Sequence, residues 1–223
     1  MAVRSIAFHF DYLSPFAYLA SCQVDALGAR HGVAIAYRPV LFPALLDHWG
    51  QRGPAEIAPK ALHVFKDCLR QAQLRGIPFR SPRFHPFRSL TALRLTLAVP
   101  ESDRAPAVHA LFAHGWAHGG DLANELELAQ ALSTAGFDGA ELLEGARSDA
   151  VKQALREGTD AAIARGVFGI PTLDVEGELF WGFDQFPHVE LVLAGRDPLI
   201  GIDLRERGPH GVGATRPGAD RGR

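Results

Sequence analysis

The chain has 223 residues, of which 47% are hydrophobic and 22% are charged, and its net charge is −2. This length is typical of one α/β domain with a large insertion, or of two lobes. The near-neutral charge gives no reason to expect a nucleic-acid-binding protein. No apolar run is long enough to span a membrane and no signal peptide precedes the first strand, so we expect a cytoplasmic protein without a membrane partner.

The N-terminal segment predicts a strand over residues 6–10, followed at once by a helix that begins at Ser14-Pro15. Serine is a favourable N-cap, and proline is favourable at the first helical position, where its missing N–H costs nothing. A hydroxyl at the positive end of a helix dipole is well placed to hold an anion such as a thiolate. Taken alone, the Ser-Pro pair is more simply explained as a helix start.

Near the other end, the sequence Gly-Val-Phe-Gly-Ile-Pro-Thr at residues 166–172 predicts the end of a helix, a loop and a short strand. A Glu176-Gly177 turn then predicts a second short strand, and a final helix is predicted from Asp184 to about Ala194. A proline that opens a strand after a glycine-rich loop is a candidate for a cis peptide bond, here between Ile170 and Pro171.

The middle of the chain is predicted to be helical, because apolar residues recur there at helical spacing. A short strand is predicted over residues 33–40, and the predicted helices cover residues 57–74, 90–97, 107–118, 124–135, 139–146 and 149–165. The tail, residues 205–223, is rich in glycine, arginine and proline and is predicted to be disordered.

A strand–helix–strand unit at the N-terminus, combined with an Ile-Pro-Thr hairpin and helix at the C-terminus, resembles a thioredoxin-like fold. In that fold the cis-proline lies against the N-terminal end of the first helix. We therefore predict an α/β, thioredoxin-like domain of the DsbA type, built from residues 1–40 and 159–204. A large all-helical insertion is predicted over residues 41–158.

The redox motif of thioredoxin-like proteins is missing, because Ser14 and Ala17 stand where Cys-x-x-Cys would be. Without a thiol at either position, the site cannot cycle a disulfide by itself. The segment Asp-Tyr-Leu-Ser-Pro-Phe-Ala-Tyr-Leu-Ala at residues 11–20, with Phe-Trp-Gly-Phe-Asp at 180–184 and Gly-Gly-Asp-Leu at 119–122, resembles the 2-hydroxychromene-2-carboxylate isomerases and the related kappa-class glutathione transferases.

This resemblance implies that glutathione is the cofactor and that Ser14 is the catalytic residue. The Ser14 hydroxyl would donate a hydrogen bond to the glutathione sulfur and so lower the pKa of the thiol, which is near 8.5 in free cysteine. The other cofactor-binding residues that the resemblance implies are Gln51, Lys60, Ile170, Pro171, Phe183 and Asp184.

In the resembled proteins the main chain at Ile170 would pair with the cysteinyl unit, Asp184 would receive the γ-glutamyl amino group, and Lys60 would hold the glycine carboxylate. Each position also has a purely structural explanation, as a turn, a helix N-cap and a surface lysine. The chain departs from the resembled family at Phe183, where a polar residue is often found, and at Gln185, where an arginine is often found.

The substrates of the resembled isomerases are aromatic carboxylates. Residues 80–94 form an arginine-rich stretch with Arg80, Arg83, Arg88 and Arg94, of which Arg83 and Arg88 are the candidates to bind the carboxylate. Phe16 is a candidate to contact the ring, in a cleft between the thioredoxin-like part and the insertion. The alternative for the arginines is a solvated surface. His114 and His118 lie four residues apart on one predicted helix but lack a suitable third ligand, so no metal site is predicted.

The implied function is a glutathione-dependent isomerase that interconverts 2-hydroxychromene-2-carboxylate and trans-o-hydroxybenzylidenepyruvate, in bacterial breakdown of naphthalene-type aromatics. Two alternatives stay open: a kappa-type glutathione S-transferase or peroxidase, and a non-catalytic thioredoxin-like binding module. We expect a small aromatic carboxylate as partner and no nucleic acid, and a homodimer is one possible assembly.

Overall fold

The computed structural model describes residues 5–208. Its centre is a four-stranded sheet of mixed direction, in the order β2-β1-β3-β4. Strand β1 is parallel to β2 and antiparallel to β3, which is in turn antiparallel to β4. The strands are β1 (Ser5–Phe10), β2 (Ala34–Pro39), β3 (Thr172–Val175) and β4 (Glu178–Trp181).

The sheet matches the predicted strand–helix–strand and hairpin units, and it brings together two segments that are some 160 residues apart in sequence. His9 on β1 lies opposite Thr172 on β3. This register sets the end of β1, and hence the turn that contains Ser14, beside the Ile170–Pro171 loop that precedes β3.

Helix α1 (Pro15–His31) follows β1 directly, as the sequence predicts. Ser14 is its N-cap and Pro15 its first residue. The helix ends at Gly32, whose φ of +65° lies in the left-handed region where glycine is unstrained.

The insertion is helical, as predicted, and its helices are α2 (Phe42–His48), α3 (Ala58–Arg75), α4 (Leu90–Ala98), α5 (Arg104–Phe112), α6 (Glu125–Thr134), α7 (Gly139–Gly145) and α8 (Asp149–Ala164). The helix predicted over residues 107–118 is divided, because α5 gives way to a π-helical turn over Ala113–Ala117. Helix α2 has no counterpart in the sequence-based prediction.

The core of the sheet continues without a break into the insertion. Tyr12 packs against Phe112 of α5, with ring centroids 4.6 Å apart, and its hydroxyl pairs with Thr96 of α4 at 2.6 Å. Trp116 Nε1 donates to the Tyr12 carbonyl at 2.8 Å. The predicted boundary between residues 158 and 159 falls inside α8. The insertion therefore shares one core with the sheet and is not a separate appended lobe.

The chain after β4 forms a short 3₁₀ turn over Phe183–Gln185 and then α9 (Phe186–Leu193). A last exposed helical turn, α10, covers Leu204–Arg207. Of the tail predicted to be disordered, residues 209–223 lie outside the described residues. Across residues 5–208, no helix combines the length and the apolar character needed to cross a lipid bilayer.

Candidate active site

Ser14 lies at the positive end of α1 and is nearly buried, with 8% of its surface exposed. Its Oγ accepts the Ala17 N–H at 3.1 Å, and its own N–H donates to the Asp11 carbonyl at 3.1 Å. No acceptor for the hydroxyl proton is present among the hydrogen bonds of residues 5–208. The side chain is thus fixed by the helix while its proton remains available to an anion.

Asp11 is fully buried directly behind this turn. One of its carboxylate oxygens accepts the Leu13 N–H at 3.1 Å, and the other accepts the Phe42 N–H at 3.0 Å. Burial raises the pKa of Asp11 to about 6, although the hydrogen bonds from Phe42 and Leu13 oppose the shift. Asp11 therefore ties the Ser14 turn to the first residue of α2.

The Ile170–Pro171 peptide bond is cis, as the sequence predicts. The main-chain N–H and C=O of Ile170 form no hydrogen bond with any residue between 5 and 208, whereas the neighbouring Pro171 carbonyl accepts the Gly182 N–H at 2.9 Å. An extended peptide has free pairing groups available at Ile170.

Helix α2 connects this loop to the Gln51 segment. Ile170 packs with Leu45 of α2 in a small apolar cluster, and Trp49 Nε1 donates to the Val167 carbonyl at 3.0 Å. Gln51 follows two residues after Trp49, and it is exposed. The predicted contacts at Gln51 and Ile170 therefore lie on neighbouring segments.

The predicted γ-glutamyl site lies in the turn after β4, which packs against α1. Asp184 is exposed and Phe183 is buried. Gly182 has a φ of +112°, a backbone conformation that strains any residue with a side chain, so glycine is favoured at this turn beside Asp184.

Arg75, which sequence analysis did not identify, lies over the Phe183 ring with its guanidinium carbon 4.8 Å from the ring centroid. It is the last residue of α3, and Lys60 is in the first turn of the same helix. Fifteen helical residues span roughly 22 Å. Lys60 is exposed and forms no ion pair within the described part of the chain. The two cations thus stand at opposite ends of α3.

A cavity of about 270 Å³ lies beside the Ser14 turn, between this turn, α2 and the start of α4. We refer to it as the Leu13 cavity; its lining residues are Leu13, Leu41, Pro43, Phe87, Arg88, Ser89 and Leu90. One wall is fixed by His85, whose Nε2 lies 2.9 Å from the Leu13 carbonyl oxygen.

Of the three predicted substrate residues, one lines the Leu13 cavity. Arg88 lines the Leu13 cavity, whereas the Arg83 guanidinium lies over the Phe84 ring, 5.8 Å from its centroid, and Arg83 is not among the lining residues. Phe16 is partly buried against the main core and is also absent from the lining. The cavity therefore favours Arg88 over Arg83.

Cys22 and Cys68 are both free. Burial raises the pKa of Cys68, so its thiol is a poor source of thiolate. No group of three histidine, cysteine, aspartate or glutamate side chains between residues 5 and 208 is placed to hold a metal ion.

Comparison with known proteins identifies the family of the chain. The model of the DSBA-like thioredoxin domain matches residues 5–194. A 2-hydroxychromene-2-carboxylate isomerase from Sphingobium xenophagum is 32% identical over 193 residues, which cover 85% of this chain and 98% of the relative. The chain belongs to the DsbA-like family of 2-hydroxychromene-2-carboxylate isomerases. Membership of this family makes it an enzyme of the isomerase class.

Two further proteins extend the relationship. A solved structure of 2-hydroxychromene-2-carboxylate isomerase superposes with a TM-score of 0.79 at 28% identity, covering 85% of this chain and 94% of the other. Glutathione S-transferase kappa 2 of Caenorhabditis elegans is 30% identical in an alignment 226 positions long, gaps included, that covers 93% of this chain and 98% of the transferase. The resemblance found from the motifs is thus confirmed over most of the chain.

Proposed function

We propose that this isomerase depends on glutathione and interconverts 2-hydroxychromene-2-carboxylate and trans-o-hydroxybenzylidenepyruvate, in the breakdown of naphthalene-type aromatics. The observation that carries the proposal is Ser14. A hydroxyl with an available proton caps the helix at the position where a redox relative has its cysteine, and position 17 is alanine. Such a site can stabilise a thiolate brought by another molecule, but it cannot itself exchange a disulfide.

The residues present fit glutathione. The main-chain N–H and C=O of Ile170 form no hydrogen bond among residues 5–208. They can therefore pair with the cysteinyl unit as a neighbouring β-strand would. Asp184 offers a carboxylate to the γ-glutamyl amino group, and Lys60 and Gln51 offer a cation and an amide to the glycine end.

Arg75 can supply the cation that this chain lacks at position 185. The family often has an arginine at position 185, where this chain has Gln185. In the structure, the guanidinium of Arg75, at the end of α3, lies over the ring of Phe183, two residues before Gln185. We propose that Arg75 attracts the α-carboxylate of the γ-glutamyl end in place of that arginine.

Glutathione, when bound, supplies a nucleophilic thiolate that adds reversibly to a conjugated double bond and so allows the bond to rotate. The protein's part is to favour the thiolate: the Ser14 hydroxyl donates to the sulfur and the α1 N-terminus adds partial positive charge. The Leu13 cavity holds the aromatic acid beside that position, and Arg88 faces its carboxylate.

The test is isomerisation of 2-hydroxychromene-2-carboxylate followed by absorbance, with free thiol measured in the same samples. We expect turnover that requires reduced glutathione, is not supported by S-methylglutathione, and consumes no thiol. Turnover without glutathione would contradict the proposal.

The second candidate, a kappa-type glutathione transferase, is favoured by the 30% identity to the Caenorhabditis elegans enzyme. The same measurement separates the two, because a conjugating enzyme consumes one glutathione in each turnover.

A further inference from the structure

The Leu13 cavity has a polar end that the proposed glutathione contacts do not use. Ser89 is 2% exposed, lines this cavity, and its Oγ forms no hydrogen bond among residues 5–208. The Ser89 hydroxyl is near the Asp11 carboxyl and favours its ionised form, but the distance and angles between the two groups do not meet those of a hydrogen bond. A buried hydroxyl without a partner usually marks a missing water, ion or ligand.

The same end of the cavity is the start of a helix. Ser89 is the N-cap residue of α4, which has nine residues, and its side chain does not cap the helix. The first N–H groups of a helix and the positive end of its dipole favour an anion. Ser89 and Leu90, which form this start, both line the cavity.

Two arginines, Arg88 and Arg94, lie in or next to the first turns of α4, and a third, Arg156, is near enough to act on Arg94. Arg88 lines the cavity itself, and Arg94 is one helical turn after Leu90, on the same face of α4. Arg94 Nε is buried and has no hydrogen-bond partner within the described part of the chain. Burial, together with the charges of Arg88 and Arg156, lowers the pKa of Arg94.

Arg156 comes from α8, the helix packed against α4. It lies one turn before Thr159, whose Oγ1 accepts the N–H of the lining residue Leu41 at 3.1 Å. No carboxylate forms an ion pair with Arg88, Arg94 or Arg156 among residues 5–208. The nearby Asp149 is paired with Lys152 at 2.9 Å.

We propose that the start of α4, with Ser89, Arg88 and Arg94, is the subsite that binds the carboxylate of the aromatic substrate, and that Arg156 strengthens it from α8. The rest of the lining is apolar, namely Leu13, Leu41, Pro43, Phe87 and Leu90. This surface suits a flat ring attached to the carboxylate and not a small inorganic anion. The inference rests on the proposed function for its choice of substrate and names the residues that select it.

The experiment measures binding of 2-naphthoate and of its neutral analogue 2-naphthamide to the full chain by calorimetry, without glutathione. We expect the acid to bind at least about tenfold more tightly than the amide. Arg94→Gln and Arg88→Gln should each weaken the acid about 10- to 100-fold, the range for loss of a hydrogen bond to a charged group, and leave the amide unchanged. Arg156→Gln, at an exposed position, should weaken the acid by less.

Arg83→Gln is the matched control, because Arg83 is in the same segment but outside the cavity lining, and acid binding should remain within about twofold. If Arg94→Gln does not fold, the exposed Arg88 and Arg156 provide the test. Inorganic phosphate and glutathione are titrated separately. Loss of glutathione binding in the Arg94 variant, with acid binding intact, would assign the subsite to glutathione and overturn the inference.

Equal affinity for acid and amide in the wild type would also overturn it. Failure of the proposed function gives a different result: isomerisation would be absent, while the preference for the acid would persist. Ser14→Ala should leave binding of 2-naphthoate unchanged, which separates the carboxylate subsite from the thiolate site.

Discussion

Two cavities in the described part of the molecule differ in their relation to the Ser14 turn, and the larger of the two lies away from it. The larger, about 450 Å³, lies between α5 with its π-helical turn and α6, and we refer to it as the Ala131 cavity. Its lining residues are Ala110, Ala113, His114, His118, Glu127, Gln130, Ala131, Thr134 and Ala135. The Leu13 cavity is smaller, at about 270 Å³, and adjoins the Ser14 turn.

Each cavity contains one buried polar atom that has no hydrogen-bond partner among residues 5–208. In the Ala131 cavity this atom is His114 Nε2, which lies 3.2 Å from a carboxylate oxygen of Glu127. In the Leu13 cavity it is the Ser89 hydroxyl, at the start of α4 and beside Arg88. The position beside the Ser14 turn, and not volume or an unsatisfied group alone, identifies the Leu13 cavity as the candidate site.

The largest effect is expected at Asp11, the carboxyl behind the Leu13 cavity. Its pKa is raised from 3.8 to about 6, so the folded state binds the proton more tightly than the unfolded state. Its contribution to stability is therefore fully present below about pH 3.8 and is lost as the pH rises through about 6, a change of about 3 kcal/mol.

Urea unfolding of the wild type and of Asp11→Asn at several pH values measures this. The wild-type free energy of unfolding, minus that of the variant, should fall by about 2 kcal/mol between pH 4 and pH 7, which is most of the full change. His9, whose pKa burial lowers to about 4, adds an opposite slope that cancels in the difference. Asp174→Asn is the control: burial raises the pKa of Asp174, but the hydrogen bonds from Arg165 and Gly177 and the charges of Arg165 and His9 together lower it by more, so its difference should rise with pH. A flat difference for Asp11 would contradict the assignment.

The second largest effect is expected for Ser14→Ala. Loss of one hydrogen bond to a charged sulfur is worth roughly 1.5–3 kcal/mol, or about tenfold to over a hundredfold in kcat/KM. Steady-state isomerisation, with thermal unfolding to confirm the fold, measures it. Thr134→Ala makes the equivalent change in the Ala131 cavity and should leave kcat/KM within about twofold. Full activity of Ser14→Ala would remove the central role of Ser14.

The sequence predicted the parts of the site whose signals are local. Ser14 is recognisable because the cap and Pro15 are adjacent, and the Ile170–Pro171 bond because its loop and strand are continuous. The sequence did not predict helix α2, because no neighbouring side chain caps its N-terminus. Its first N–H is accepted by Asp11, 31 residues earlier, and no local pattern reveals such a contact.

The same reason explains why the sequence could not rank the arginines of residues 80–94 and did not identify Arg75. Arg94 lies in a helix that its apolar spacing predicts correctly, but nothing in the spacing shows that its guanidinium is near Arg88 and Arg156. Arg75 and Phe183 are 108 positions apart and meet only in the fold. Arg83 and Arg88 look equivalent in the sequence, and only the cavity distinguishes them.

The third prediction compares two substitutions, each of which reduces the volume of one cavity. Leu90→Phe enlarges a side chain that lines the Leu13 cavity and should raise KM for the aromatic substrate about tenfold, the scale of one methylene-sized misfit. Ala131→Leu narrows the Ala131 cavity by a comparable volume and should leave KM unchanged. Steady-state kinetics with both variants measures this. A larger rise in KM for Ala131→Leu would reverse the assignment of the two cavities.

The smallest effect is expected for Trp49→Phe, which tests the link between the Leu13 cavity and the Ile170 loop. Trp49 is 43% exposed, and its Nε1 donates to the Val167 carbonyl, joining α2 to the segment that leads to Ile170. Phenylalanine keeps an aromatic ring but removes the donor, which should cost about 1 kcal/mol of unfolding free energy. Since Ile170 is the proposed pairing site for glutathione, the affinity for glutathione should fall by up to about fivefold. Trp181→Phe is the matched control: Trp181 packs edge-to-face with Phe168, and its indole N–H has no hydrogen-bond acceptor among the described residues. Equal losses of stability in the two variants would show that the Trp49 hydrogen bond does not hold α2 to the loop.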